Sequence, residues 1–297
     1  MHSIAPSSTF FSRFKPLKSS ADTLALLSIC VLLALWTPTF WQLRPAWFEN
    51  ADYGGLYIVL LFALFSFWQR KERWDGLPLR PFRGAWFIVA GLAAAALWMA
   101  SGFPRISMAC LPATLAMLVL AIYGWQRLRL ILPVLTYSLL VVPPPDGLWA
   151  ELTLFMRFLS TESARLFLHL LPIDLVRIEE FSIVLPLTDR RLMIADECSG
   201  VRSLLSLTTV GLWLIMDARC RNALKPLLAL AIPLIAHTVN TLRISFTVLL
   251  YSAELDQFAG GEYHRWTGYL AIGAGLGILL AMIRWSERLA PRKTTNR

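Results

Sequence analysis

Residues 196–203 of the chain read DECSGVRS, and this stretch ends a long polar-flanked loop and opens a long apolar helix. It combines two carboxylates, a cysteine, a small-residue turn and an arginine one helical turn after the cysteine. A helix N-terminus stabilises anions through its unsatisfied amides and the helix dipole, and the thiolate is the nucleophilic form of cysteine. The stretch by itself therefore fits either a nucleophilic thiol at a membrane surface, Cys198, or a structural cysteine at a helix end.

The composition indicates a protein embedded in a membrane. Of the 297 residues, 57% are hydrophobic and only 16% are charged, whereas soluble domains contain about 45–50% apolar and about 25% charged residues. The net charge of +9 lies mostly in loops and tails, where the positive-inside rule places basic residues, so we predict no nucleic-acid partner. The four cysteines are too scattered for a disulfide framework, and their spacing predicts no metal site and no cofactor.

About eight segments approach the length of roughly 20 apolar residues that a membrane-spanning helix needs. They cover residues 21–40, 53–69, 84–100, 107–123, 128–142, 199–216, 224–251 and 266–285. Basic residues concentrate in alternate connections and in both tails, which places both termini in the cytoplasm by the positive-inside rule. We therefore predict a single membrane-embedded domain over residues 1–297, with cytoplasmic tails at 1–20 and 286–297.

One connection, residues 143–197, is long and lies outside the cytoplasm in this topology. Residues 148–171 have a helical apolar rhythm with scattered charges, which predicts a small external helix along the outer interface. The runs at 181–185 and 192–195 flank a plausible turn at 188–191 and predict a β-hairpin. The predicted fold class is thus an all-α polytopic membrane protein with about eight transmembrane helices, and with this external helix and hairpin between spans five and six.

The predicted topology brings three chemically suited residues to the outer leaflet: Cys198, Arg243 and His264. An arginine within a span costs about 3 kcal/mol at the bilayer centre, so such residues are usually functional or paired; snorkelling to the interface is the alternative for Arg243. His264 alone would be an ordinary interfacial residue. Together, cysteine and histidine provide a nucleophile and a general acid/base, and arginine provides a donor for a developing oxyanion.

Neighbouring polar residues bear on the same chemistry. Arg202 follows Cys198 by four residues, so the two share a helix face and the guanidinium adds positive charge near the thiol. Glu197 opposes a thiolate unless it points away or pairs with an arginine. Asn240 precedes Arg243 by one turn and is predicted to face inward with it. A disulfide to Cys110 is an alternative role for Cys198, but it would leave Arg243 and His264 without an explanation.

Three motifs resemble the signature of the exosortase/archaeosortase family: residues 197–203 (ECSGVRS), residues 240–244 (NTLRI) and His264 before the last span. The resemblance extends from the fifth predicted span through the eighth. It implies a membrane cysteine peptidase or transpeptidase without a cofactor. It also implies exported protein substrates that end in a short motif such as Pro-Glu-Pro, a transmembrane helix and a basic tail. It assigns the nucleophile to Cys198 and the other catalytic positions to Arg243 and His264, and we add as supporting residues Glu197, Ser199, Arg202 and Asn240.

The implied location is the cytoplasmic (inner) membrane, with membrane lipids as further partners and the active site at the extracytoplasmic face. Two other interpretations stay open. One is an intramembrane cysteine protease that only hydrolyses its substrate. The other is a transporter or export scaffold in which Arg202, Asn240 and Arg243 line a polar path and Cys198 is dispensable.

Overall fold

The computed structural model describes residues 20–49, 57–170, 177–179, 182–185, 190–193, 200–255 and 261–289. These residues form nine α-helices: α1 (Ser20–Phe48), α2 (Tyr57–Asp75), α3 (Ala85–Ala100), α4 (Pro104–Ile122), α5 (Trp125–Ser138), α6 (Asp146–His169), α7 (Val201–Asp217), α8 (Lys225–Ser252) and α9 (Gly261–Arg288). Short 3-10 turns at Leu139–Val141 and Asn222–Leu224 extend α5 and precede α8. Three strands complete the described chain: β1 (Arg177–Glu179), β2 (Ser182–Leu185) and β3 (Arg190–Met193).

Four of the described helices are long and apolar enough to cross a membrane, so the prediction of about eight spans is wrong. These four helices are α1, α4, α8 and α9, and they coincide with the first, fourth, seventh and eighth predicted spans. A fifth is added only if α5 and α6 are counted as one span broken at residues 142–145.

The remaining predicted spans fail for reasons of length or charge. Helices α3, α5 and α7 contain 16, 14 and 17 residues, which at about 1.5 Å per residue is shorter than the roughly 30 Å thickness of a hydrocarbon core. Helix α2 has 19 residues, but its last turn and a half, residues 70–75, is almost entirely charged. The sequence scan was wrong because it accepted apolar segments below the full spanning length.

The connection between α5 and α7 confirms one prediction and corrects another. Helix α6 begins and ends two residues before the helix predicted at 148–171, which is thereby confirmed, and side chains along one face, including Trp149, Met156 and Leu168, are buried. Its location along the outer interface stays a prediction. The all-α class with a two-stranded hairpin is corrected to a predominantly helical chain with a three-stranded antiparallel sheet in the order β1-β2-β3. Ile183 of β2 lies opposite Ile178 of β1 and Leu192 of β3. The prediction missed β1 because its three residues, RIE, give too short an apolar alternation to recognise.

The described chain divides into two compact units, and the first comprises Met1–Ala46 and Leu60–Val142. In it, the Trp36 indole donates a hydrogen bond to the Ser107 carbonyl at 2.9 Å, which ties α1 to α4. The Tyr123 hydroxyl donates to Asp22 Oδ1 at 2.9 Å. Burial raises the pKa of the Tyr123 phenol well above its ordinary value, and the hydrogen bond and negative charge of Asp22 raise it further. The phenol therefore stays protonated and remains a hydrogen-bond donor at any physiological pH.

The second unit comprises Trp47–Val59 and Pro143–Arg297, and its centre is a tight assembly of α7, α8 and α9. A Cβ built on Gly211 of α7 would lie 2.7 Å from Leu279 Cδ2 of α9 and 3.0 Å from Ile232 Cδ1 of α8. A Cβ built on Gly275 of α9 would lie 2.9 Å from Leu207 Cδ1. Glycines thus allow the three helices to approach closely around a buried apolar core, as small residues do at helix interfaces in membranes.

The contacts within this assembly fix the direction of each helix. Leu207 meets Gly275 and Gly211 meets Leu279, so residue numbers rise together along α7 and α9, and these two helices run the same way. Gly200 before α7 lies against Asn240 of α8, whereas Gly211, further along α7, lies against Ile232, so α8 runs in the opposite direction to α7. The start of α7, the second half of α8 and the start of α9 therefore lie at the same end of the assembly. That the chain forms one domain over residues 1–297 stays a prediction.

Candidate active site

Asn240 of α8 is the buried polar residue around which the candidate site is built. Its side chain is only 1% exposed, and its Nδ2 donates a hydrogen bond to the hydroxyl of Ser160 on α6 at 3.1 Å. Ser160 is itself completely buried. One turn deeper, Ser163 Oγ and His237 Nε2 lie 3.0 Å apart and form a second polar contact between the same helices. These two contacts fix α6 and α8 antiparallel to each other.

The turn that leads into α7 lies directly on the Asn240 side chain. Gly200, the residue before α7, has a φ of 87°, a conformation that favours glycine because a Cβ would clash there. A Cβ built on Gly200 would also lie 2.7 Å from Asn240 Nδ2 and 2.8 Å from Asn240 Cγ. Both the backbone conformation and the close contact therefore require glycine at this position.

Arg243 connects α8 to α9 at the same end of the assembly. It follows Asn240 by three residues, is partly buried, and places its Nη1 3.4 Å from the position that a Cβ on Gly268 would occupy. Its guanidinium thus lies near the Gly268 position of α9, where a Cβ would be in ordinary van der Waals contact with it. His264 is four residues before Gly268 in α9, so the two positions share a helix face about 6 Å apart along the axis.

The other predicted site residues divide into those the structure describes and those it does not. Arg202 lies in the first turn of α7 and is exposed to solvent. Cys198, Glu197 and Ser199 lie outside the described residues, and the side chain of His264 does as well. The assignment of catalytic and supporting roles to these residues therefore stays a prediction.

The described cysteines and acidic residues bear on two other possibilities, a disulfide and a metal site. Cys30, Cys110 and Cys220 are free cysteines, so no disulfide involves Cys110. Within the described part of the chain, no group of three His, Cys, Asp or Glu side chains is close enough to hold a metal ion.

Sequence reasoning missed Ser160 and Ser163, the two α6 residues that contact α8. A serine in a helix is common, and its partner in each case lies more than seventy residues away in the sequence. The available signal was their spacing, because residues three apart lie on one helix face and match the spacing of His237 and Asn240 on α8.

Comparison with known proteins places a family model on most of this chain. The family model described as Transmembrane exosortase (Exosortase_EpsH) matches residues 47–281, well over half of the chain. The matched region includes every residue of the candidate site, from Ser160 on α6 to Gly268 on α9. No curated protein and no solved structure matches the chain.

We expect Gly200→Ala to destabilise the protein and to be partly rescued by Asn240→Ala. The alanine must adopt a left-handed backbone conformation, which costs about 1–2 kcal/mol. Its methyl group also overlaps the Asn240 amide, which is almost completely buried. Asn240→Ala removes the amide atoms that the methyl group overlaps, but it keeps the Asn240 Cβ and does not relieve the backbone strain. The loss of unfolding free energy in the double variant should therefore be smaller than the sum of the losses in the two single variants. The measurement is thermal unfolding of the four proteins in one detergent.

The matched control for this cycle is Gly147→Ala, because Gly147 lies at the start of α6 and a Cβ there would meet no atom within 4 Å. The control should unfold at the wild-type temperature. Purely additive effects of the Gly200 and Asn240 substitutions would show that the two residues do not interact.

Proposed function

The chain belongs to the transmembrane exosortase family, and from this membership we propose that it acts as a cysteine transpeptidase. It is a multi-pass membrane protein with a general role in sorting exported proteins. In our proposal it cleaves substrates that carry a C-terminal sorting signal, consisting of a short motif, a transmembrane helix and a basic tail. It then transfers the cleaved protein to an acceptor. The proposed catalytic residues are Cys198, Arg243 and His264, in one membrane-embedded domain over residues 1–297.

The observation that best supports this proposal is the convergence of three helices at Asn240 and Arg243. Cys198 precedes Gly200 by two residues, so covalent geometry keeps their Cα atoms within about 7 Å, and Gly200 lies on Asn240. Arg243 lies against Gly268, which is about one helical turn from His264. Cys198, Arg243 and His264 are distant in sequence, yet each is one of, or is close in the chain to, the residues that meet in this region.

The proposed chemistry follows from the residue types. The Cys198 thiolate attacks the scissile carbonyl, and the Arg243 guanidinium stabilises the resulting tetrahedral oxyanion. His264 donates a proton to the leaving amine as the carbon–nitrogen bond breaks, which leaves a thioester on Cys198. His264 then removes a proton from the acceptor nucleophile, which attacks the thioester and releases the thiolate. The partly buried position of Arg243 near Gly268 supports a guanidinium held in place by packing. A donor that is already in place costs no reorganisation during the reaction.

We further propose that the site faces the extracytoplasmic side of the cytoplasmic membrane and that both termini are cytoplasmic. Basic residues cluster at the opposite end of the α7–α9 assembly, where the Lys225 ammonium donates to the Met216 carbonyl and the Arg219 amide donates to Glu287 Oε1. Arg284 and Arg288 lie in the last turns of α9 at this end. The positive-inside rule favours a cytoplasmic location for such a cluster.

The experiment that tests the proposal is analysis of the product formed from a reporter. An exported reporter protein ending in a Pro-Glu-Pro motif, a transmembrane helix and a basic tail is incubated with the full chain in lipid nanodiscs, together with a small amine acceptor. We expect mass spectrometry to find the acceptor joined to the new C-terminus. A free carboxylate as the sole product would favour the hydrolytic protease instead, and an intact reporter would favour the export scaffold.

A further inference from the structure

Helix α6, which carries none of the predicted site residues, supplies the hydrogen-bond acceptor for Asn240. Both side chains are buried, with 0% of Ser160 and 1% of Asn240 exposed. A hydrogen bond between two buried side chains offsets part of the cost of desolvating them. The bond to the Ser160 hydroxyl therefore stabilises the orientation in which Nδ2 points to α6.

The same amide packs against Gly200, the residue before α7. The atoms nearest to a Cβ on Gly200 are Asn240 Nδ2, Cγ and Cβ, at 2.7, 2.8 and 3.2 Å. A rotation of the Asn240 amide would move the first of these atoms and change the support beneath Gly200. One side chain thus connects the hydroxyl on α6 to the turn that immediately follows Cys198.

We infer that Ser160 is a positioning residue for the Cys198 thiol, acting through Asn240 and Gly200. It holds the amide in one orientation, and the amide holds the turn at a fixed place relative to Arg243 on the same helix. The expected effect of Ser160 on turnover of the substrate rests on the proposed function. Its expected effect on the reactivity of the Cys198 thiol does not. Loss of the hydroxyl need not unfold the unit, because the Ser163–His237 contact still joins α6 to α8 and other α6 side chains, such as Leu168, stay buried.

The test uses a background in which Cys198 is the sole cysteine, with Cys30, Cys110 and Cys220 replaced by serine. In this background, Ser160→Ala removes the hydroxyl and Ser160→Thr keeps it. Thr161→Val is the matched control: Thr161 is the adjacent residue and about equally buried, but its hydroxyl donates to the Arg157 carbonyl of its own helix. Alkylation of Cys198 by iodoacetamide is followed as a function of pH in nanodiscs without substrate, and kcat and KM are measured with the reporter.

For Ser160→Ala we expect kcat to fall about tenfold, as for a lost buried hydrogen bond, with KM nearly unchanged. The pH profile of alkylation should shift, Ser160→Thr should recover most of both properties, and Thr161→Val should match the background protein. If Ser160→Ala is not recovered folded, Ser160→Val replaces it, because valine has the shape of the threonine in Ser160→Thr but lacks the hydroxyl.

The outcomes separate this inference from the proposed function. An alkylation profile and kcat that are unchanged in Ser160→Ala overturn the positioning role, even if the reporter is still transferred. A shifted alkylation profile in a protein that never transfers the reporter supports the positioning of Cys198 while the transpeptidase proposal fails. An equal shift in Thr161→Val would mean a general loss of packing in α6, and this also overturns the inference.

Discussion

Replacing Cys198 with alanine should abolish cleavage and transfer of the reporter. In the proposed reaction the sulfur forms a covalent bond to the scissile carbon, and no neighbouring group can replace that bond. Loss of the nucleophile in an enzyme with a comparable covalent mechanism costs about 10⁶ in kcat. Cys198→Ser should be inactive as well, because a hydroxyl is a far weaker nucleophile than a thiolate near neutral pH. The measurement is single-turnover cleavage of the reporter by the variants in nanodiscs.

The matched control for this prediction is Cys220→Ala. Cys220 is a free, buried cysteine in the same structural unit, next to the basic end of the α7–α9 assembly. Its removal should leave the cleavage rate within about twofold, since a buried cysteine behaves as a small apolar residue. Cleavage at the wild-type rate by Cys198→Ala would rule out a covalent role for this thiol and would favour a scaffold in which the cysteine is dispensable.

The long apolar helices could be predicted from the sequence because their signal is local. The predicted span at 224–251 differs by one residue at each end from α8 (Lys225–Ser252), since an uninterrupted apolar run is bounded by a basic residue and a polar turn. Helix α6 was predicted as a helix, but its buried face was not, because charged residues are scattered through it, including Glu162 and Arg165. These two pair on its exposed side, while Ser160 and Ala164 are buried on the other. Hydropathy averages over both sides of a helix and hides such a division.

Residues of the candidate site could be recognised from the sequence only where the residue type is unusual for its position. Arg243 and Asn240 are recognisable as polar residues within an apolar run, whereas Ser160 is not, because hydroxyls are common in helices. The role of Gly200 was also only partly visible. A glycine at a helix start predicts a tight turn, but its contact with Asn240 arises from the packing of α7 on α8. Tertiary contacts of this kind are absent from local patterns in one sequence.

Arg243→Lys should lower kcat by about 10²–10³, the cost of removing an oxyanion donor from an acyl-transfer enzyme. Lysine keeps the positive charge but replaces a planar fork of donors with a single flexible ammonium group. It also removes the guanidinium group that lies near the Gly268 position of α9. Because the oxyanion exists in the transition state and not in the bound substrate, we expect KM to change by only a few-fold. Both constants are measured with the reporter in nanodiscs.

The control is Arg165→Lys, the same substitution on α6 at a partly exposed side chain that pairs with Glu162. Exposed pairs of this kind contribute little, so this variant should have wild-type kcat and KM. The split between the two constants separates the possible roles of Arg243. A higher KM with unchanged kcat would mean that Arg243 binds the substrate's ground state, for example through an acidic residue of the sorting motif. Wild-type values for both constants would mean that the Arg243 guanidinium does not act in catalysis. The exposed Arg202 would then be the next candidate for the oxyanion donor.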